Sequence, residues 1–264
     1  MNRVVPGFLM AGGWFLLLFL GTPAMLWAVA VVGAVVALHE FFRMTCPTLA
    51  GGRLFAAIGC CLLPVMSSYA GFSDVVLAGT VASLLAVVLS ALHGYSVIPD
   101  VFRYLSCSGF ASVYISLCLA HVVLIRYLPQ GAFWLTMLVV IVAGSDTGAY
   151  YAGRTWGRRK LFPQISPKKT VAGGIGGIIV GIVAAEIVNF LFSAQVNPVT
   201  LLFAAGLLII VGIGGDLAES MIKRSVGVKD SGSILFGHGG LLDRIDSLLL
   251  TAPVLYCLLR FGLL

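Results

Sequence analysis

Long apolar runs alternate with short polar breaks from one end of the chain to the other. About nine of these runs approach the ~20 residues an α-helix needs to cross the hydrocarbon of a bilayer. They fall at roughly 6–21, 24–43, 54–71, 73–93, 104–124, 131–152, 172–193, 198–222 and 247–263, with ends uncertain by about two to four residues. Gly21-Thr22-Pro23 breaks the first pair. The first run is followed at once by another and lacks the compact order of a cleaved leader, so it reads as a retained span. The pattern predicts an all-α fold, a polytopic membrane helical bundle of about nine transmembrane helices. Residues 1–264 form one integral membrane domain, with 1–130 a helical scaffold portion and 131–264 the catalytic portion.

Composition agrees. The chain is 60% hydrophobic and 10% charged, with a mean hydropathy of +1.08, against the ~25% charge of soluble domains. No polar block is long enough for a separate soluble domain. The six cysteines lie mostly inside apolar runs without zinc-like spacing, which argues for small buried side chains rather than a disulfide framework. Charge then orients the bundle. With the N-terminus in the cytoplasm and nine alternating spans, only Arg126 and Arg260 of the 16 Lys and Arg fall on the far side, as the positive-inside rule favours.

Two breaks on that side carry the chemistry. In the later one, Asp216, Glu219, Ser220 and Lys223 are spaced i, i+3, i+4, i+7 and share a helical face. An ionised carboxylate inside a span is costly without a cation. An ion pair from Asp216 or Glu219 to Lys223 would meet that cost, and so would a metal ion in a cavity open to the cytoplasm. Asp243 and Asp246, i and i+3 at the start of the last span, suit helix capping. Together with Asp216 they also suit a shared cation. Oxygen-only ligands point to Mg²⁺, with Mn²⁺ as a substitute, and a second cation is admitted. His238 stands alone and reads as a hydrogen-bond donor or phosphate contact. Gly239 and Gly240 let backbone amides approach an anion.

The earlier break runs from Asp146, near the end of the sixth span, to Ser166-Pro167-Lys168-Lys169-Thr170. Arg158, Arg159 and Lys160 suit anchoring on anionic lipid. Pro167 predicts a break before a helix whose N-terminus, with Lys168 and Lys169, makes a polyphosphate site.

These residues resemble the membrane phosphatidate cytidylyltransferases, the CDP-diacylglycerol synthases. The likeness runs through Ser220, Lys223, Arg224, Lys229, Asp230, His238, Gly239, Gly240, Asp243, Arg244 and Asp246. It also includes Asp146-Thr-Gly-Ala-Tyr150 and Ser166–Thr170 in the same order. Phe236 and Ala172 stand where that family usually has proline and often glutamate. The resemblance implies that CTP and phosphatidic acid give CDP-diacylglycerol and pyrophosphate, with Mg²⁺ required. It makes Asp216, Asp243, Lys223, Lys229 and Asp246 catalytic, with metal on Asp216, Asp243 and Asp246. Asp146, Ser166, Lys168, Lys169, Ser220, Arg224, Asp230, His238, Gly239, Gly240 and Arg244 would bind substrate. The expected partners are CTP, phosphatidic acid and the lipid bilayer, with no nucleic acid, and the N-terminal half offers a homodimer surface. The expected location is a bacterial-type inner membrane, multi-pass, with the active-site loops cytoplasmic. A CTP-dependent lipid kinase and, from another class, a transporter are the alternatives. The first is opposed by the Lys-Asp…His-Gly-Gly…Asp-Arg run. The second is opposed by the lack of inverted repeats.

Overall fold

The computed structural model describes residues 4–192, 196–232 and 239–264, with side chains from residue 12 onward. His238 and Phe236 therefore lie outside the described residues. The chain is a helical bundle with one small hairpin. Its elements are α1 (Val4–Phe19), α2 (Pro23–Thr45), α3 (Gly52–Cys61), α4 (Leu63–Ser67), α5 (Ser73–His93), α6 (Val101–Ala111), α7 (Cys118–Tyr127) and α8 (Gly131–Trp156). Strands β1 (Lys160–Phe162) and β2 (Ser166–Thr170) follow, then α9 (Val171–Leu191), α10 (Pro198–Ser225) and α11 (Leu242–Arg260).

Local chemistry sets the helix starts. Thr22 accepts from the Met25 amide at 3.3 Å, Asp100 from Arg103 at 2.9 Å, and Asn197 from Val199 at 2.9 Å. Pro23 and Pro198 sit in the first turns, where a missing N–H costs nothing. The expected span at 54–71 is bent by 44° between α3 and α4, next to Pro64, the usual cause of a kink. Helices α6 and α7 form one 27-residue span, joined through a π turn over Ser112–Leu117. Among the described residues six helices are long and apolar enough to cross a membrane, seven if the bent pair counts as one span. Helix α1 has only 16 residues, and α11 opens with Asp243, Arg244 and Asp246. Both miss that test, so length and apolarity carry six or seven crossings against the nine expected.

Among the described residues the two larger of three apolar clusters hold the bundle. One buries Leu138, Ile141, Leu208, Ile209 and Leu255 between α8, α10 and α11. The other buries Phe41, Phe42, Ile115, Leu242 and Leu249, tying α2 and the π turn to α11. Large side chains such as Phe102, Phe190 and Phe203 are exposed along helix flanks, as lipid-facing surfaces require.

Close backbone contact positions the site. Antiparallel α8 and α9 pack through small residues. A Cβ at Gly148 would stand 2.5 Å from the Gly176 carbonyl, so only glycine permits the approach. Likewise a Cβ at Gly215 would stand 2.6 Å from the Asp246 carbonyl. That gap draws α10 onto α11 where both carry their acids.

Candidate active site

Four elements bring their polar ends together: the C-terminal ends of α8 and α10, the N-terminal end of α9, and the first turns of α11. Between them lies a cavity of about 240 Å³, lined by Ser145, Asp146, Tyr150, Lys168, Lys169, Thr170, Asp216 and Ser247 among others. Whole-ligand pockets measure ~300–1,000 Å³. This one has room for part of a ligand, such as phosphates and a cation.

The hairpin delivers the lysines. Ser166–Thr170 forms β2, paired antiparallel with β1, where a helix entry at Lys168 and Lys169 was expected. The helix begins one residue later, and Thr170 caps it by accepting from the Gly173 amide at 3.1 Å. The two lysines thus line the cavity from a strand that leads directly into the N-terminus of α9. Lys169 Nζ lies 2.7 Å from Asp216 Oδ2. Lys168 is exposed and, among the described residues, forms no ion pair. Asp146 lines the same cavity and is within electrostatic range of both Asp216 and Lys169.

A second cluster lies beside the cavity. Lys223 Nζ is 2.8 Å from Glu219 Oε2 and 2.6 Å from Asp243 Oδ1. The pair that meets Lys223 inside the span is thus Glu219, which leaves Asp216 to the cavity. Glu219 is buried and its Oε1 has no hydrogen-bond partner among the described residues. Asp243 accepts from the amides of Gly240 (2.9 Å) and Ser231 (3.1 Å). Its oxygens thus meet a lysine and two backbone donors at the entry to α11. Among the described residues no three Asp, Glu, His or Cys side chains converge as a ligand group. Asp246 is within electrostatic range of Asp216 and accepts from the Ser247 amide at 2.6 Å.

Other expected site residues stand further out. Ser220 Oγ donates to Asp216 Oδ1 at 3.4 Å. Arg224 turns away to the Val228 carbonyl at 3.3 Å. Lys229 and Asp230 are exposed in the turn after α10, Arg244 is exposed on α11, and Ser166 is half-buried at the start of β2. Gly239 has φ +81°, a left-handed conformation that glycine adopts without strain.

The sequence reading overlooked Glu40. It is 2% exposed at the end of α2, and its carboxylate accepts from the amides of Leu241 and Leu242, each at 3.0 Å. The signal was present: it is one of ten acids in the chain and lies in an apolar run, where an ionisable residue is a functional candidate by default. Tyr114 was missed as well. From the π turn its hydroxyl donates to the Gly215 carbonyl at 3.4 Å, next to Asp216.

Comparison with known proteins adds the lineage. A protein of Bacillus subtilis (strain 168) named phosphatidate cytidylyltransferase is 36% identical over 268 residues, 98% of this chain and 97% of that protein. A phosphatidate cytidylyltransferase of Staphylococcus haemolyticus is 45% identical over 130 residues, about half of each chain (49% and 50%). One of Haemophilus influenzae is 42% identical over 128 residues, 47% of this chain and 44% of its own. The model of the cytidylyltransferase family matches residues 1–262. With nearly the whole chain matched and the charged helix ends gathered at one cavity, this protein belongs to the cytidylyltransferase family.

Proposed function

We propose that the protein transfers the cytidylyl group of CTP to phosphatidic acid, giving CDP-diacylglycerol and pyrophosphate. The reading is carried by the cavity of Asp146, Lys168, Lys169 and Asp216 at the bundle's polar end, in a chain that matches a phosphatidate cytidylyltransferase end to end. The lipid phosphate oxygen attacks the α-phosphorus of CTP. A new P–O bond forms as the bond to the β-phosphate oxygen breaks, and pyrophosphate leaves with that electron pair. Both reactants are anions, so mutual repulsion and alignment are the obstacles. Fixed cations reduce the first and a rigid pocket supplies the second. The attacking phosphate is already ionised, so the protein needs no strong base.

Lys168 and Lys169 meet the nucleotide phosphates, and Lys223, held by Glu219 and Asp243, adds fixed positive charge behind them. The donors facing the cavity are carboxylates, which suits Mg²⁺. That ion is habitually held by one or two carboxylates and completed by water and substrate phosphates. Asp216 would hold it, with Asp246 beside it, and when bound it would neutralise charge on the phosphates. Asp216 must then exchange its contact with Lys169, which frees that ammonium for the nucleotide. Supplying purified protein in lipid vesicles with CTP, phosphatidic acid and Mg²⁺ tests the reaction. Label from α-labelled CTP is expected in the lipid. Label arriving instead from γ-labelled CTP would mark a lipid kinase.

The site opens to the cytoplasm, and the protein sits in the inner membrane with its N-terminus inside. Support comes from the basic residues, nearly all of which collect at the ends that bear the site. A cysteine placed at Gln164, in the hairpin, is expected to resist an impermeant reagent added to intact cells. Rapid labelling there would invert the orientation.

A further inference from the structure

The scaffold half reaches the site through one buried charge. Glu40 lies in the last two turns of α2, while the amides it binds begin α11, about 200 positions later in the chain. The first amides of a helix have no partner within it and favour an anion. Helix α11 has no side chain of its own capping at Leu241, and Glu40 takes that role from another helix. Its carboxylate also receives the Ser231 hydroxyl at 3.4 Å. Ser231 and Leu241 stand at the two ends of the glycine-containing turn, so a single carboxylate ties those ends together.

Two flanking glycines make room for this group. A Cβ on Gly232 would stand 2.7 Å from Glu40 Oε1, and one on Gly240 would stand 2.6 Å from Oε2. Burying a carboxylate is expensive unless it is fully hydrogen-bonded, and three donors at one point meet that need. What depends on the turn is chemistry. The Ser231 and Gly240 amides hold Asp243, Asp243 holds Lys223, and α11 carries Asp246 to Asp216.

We infer that Glu40 is a positioning residue for cytidylyl transfer: by capping α11 and holding Ser231 beside Leu241 and Leu242, it fixes Asp243, Lys223 and Asp246 in the arrangement that reacts. It lies outside the cavity and touches neither substrate. The inference rests on the cytidylyl-transfer reading, so the parent protein's activity is established first, and an inactive parent would fail that reading and not this one.

The test compares purified parent, Glu40→Gln and Ser83→Ala in the same vesicles. Gln keeps the size and one acceptor oxygen but turns an N–H₂ toward backbone donors. Ser83 is a buried control in the scaffold half, bonded to Ser112 at 2.7 Å. For Glu40→Gln, kcat should fall about thirtyfold, within the 10–100-fold typical when a partner of a site ligand is lost. KM for CTP should stay within about threefold, and the thermal midpoint should move no more than it does for Ser83→Ala, whose kcat should match the parent's. Parent-like kcat in folded Glu40→Gln overturns the inference, as does an equal loss of kcat in Ser83→Ala, which would mark a purely structural role. If Glu40→Gln does not fold, Glu40→Asp replaces it, since the shorter side chain withdraws the charge from Leu241 and Leu242. The same split is expected there, and unchanged kcat would again overturn it.

Discussion

Replacing Asp216 by Asn should lower kcat by about a thousandfold while the protein still inserts and folds. The residue lines the cavity and is the carboxylate of α10 left over once Glu219 has taken Lys223. If it holds the cation that neutralises the phosphates, its loss removes several kcal/mol of charge stabilisation, and about 4 kcal/mol corresponds to three decades in rate. Folding should survive, because Asp216 and Lys169 are about a third and a quarter exposed and a pair of that exposure adds little stability. Turnover by purified protein, with circular dichroism as the folding check, decides it. Near-parent kcat at ordinary Mg²⁺ would remove Asp216 from the site.

Lys169→Ala should cost about 2–4 kcal/mol in kcat/KM for CTP if its contact tightens in the transition state, and Lys168→Ala should fall in the same range. Both line the cavity. Lys169 already rests 2.7 Å from the carboxylate it would give up to a cation. Arg158 and Arg159 precede the hairpin and line no part of the cavity, so alanine there should leave kcat/KM nearly unchanged. Initial rates over a range of CTP concentrations for the four variants separate the two roles. Equal, mild losses at all four would mean that Lys168 and Lys169 only anchor the loop to lipid.

Much of this was legible in the sequence because it is written in local pattern. Apolar runs placed the helices, and Thr22-Pro23 and Asn197-Pro198 marked two of their starts. The i, i+4 spacing foretold the Glu219–Lys223 pair. Asp146, Lys168, Lys169 and Asp216 were chosen as charges at span ends, and they line one cavity. What escaped depends on contacts between distant segments. The expected helix entry is present at Val171, but the pairing of Lys160–Phe162 with Ser166–Thr170 ahead of it was missed, because no single segment encodes that register. Asp243 was singled out by its spacing from Asp246, but its contacts to Ser231, Gly240 and Lys223 join segments that no local pattern connects. Glu40 has no charged neighbour in the sequence apart from Arg43, and its role is visible only once α2 lies against α11.

The central claim is that the phosphates of CTP occupy the cavity between α8, α9 and α10. Gly174 lines it and has open space where a Cβ would go, so a cysteine fits there without displacing a neighbour. Gly52, at the start of α3, also has open space and is not among the cavity's lining residues, which makes it the control. The measurement is the rate at which a polar thiol reagent modifies Gly174→Cys in cysteine-depleted protein, with and without CTP and Mg²⁺. The account predicts that CTP slows modification at 174 at least tenfold and leaves Gly52→Cys unaffected. Equal rates at 174 with and without CTP would contradict it.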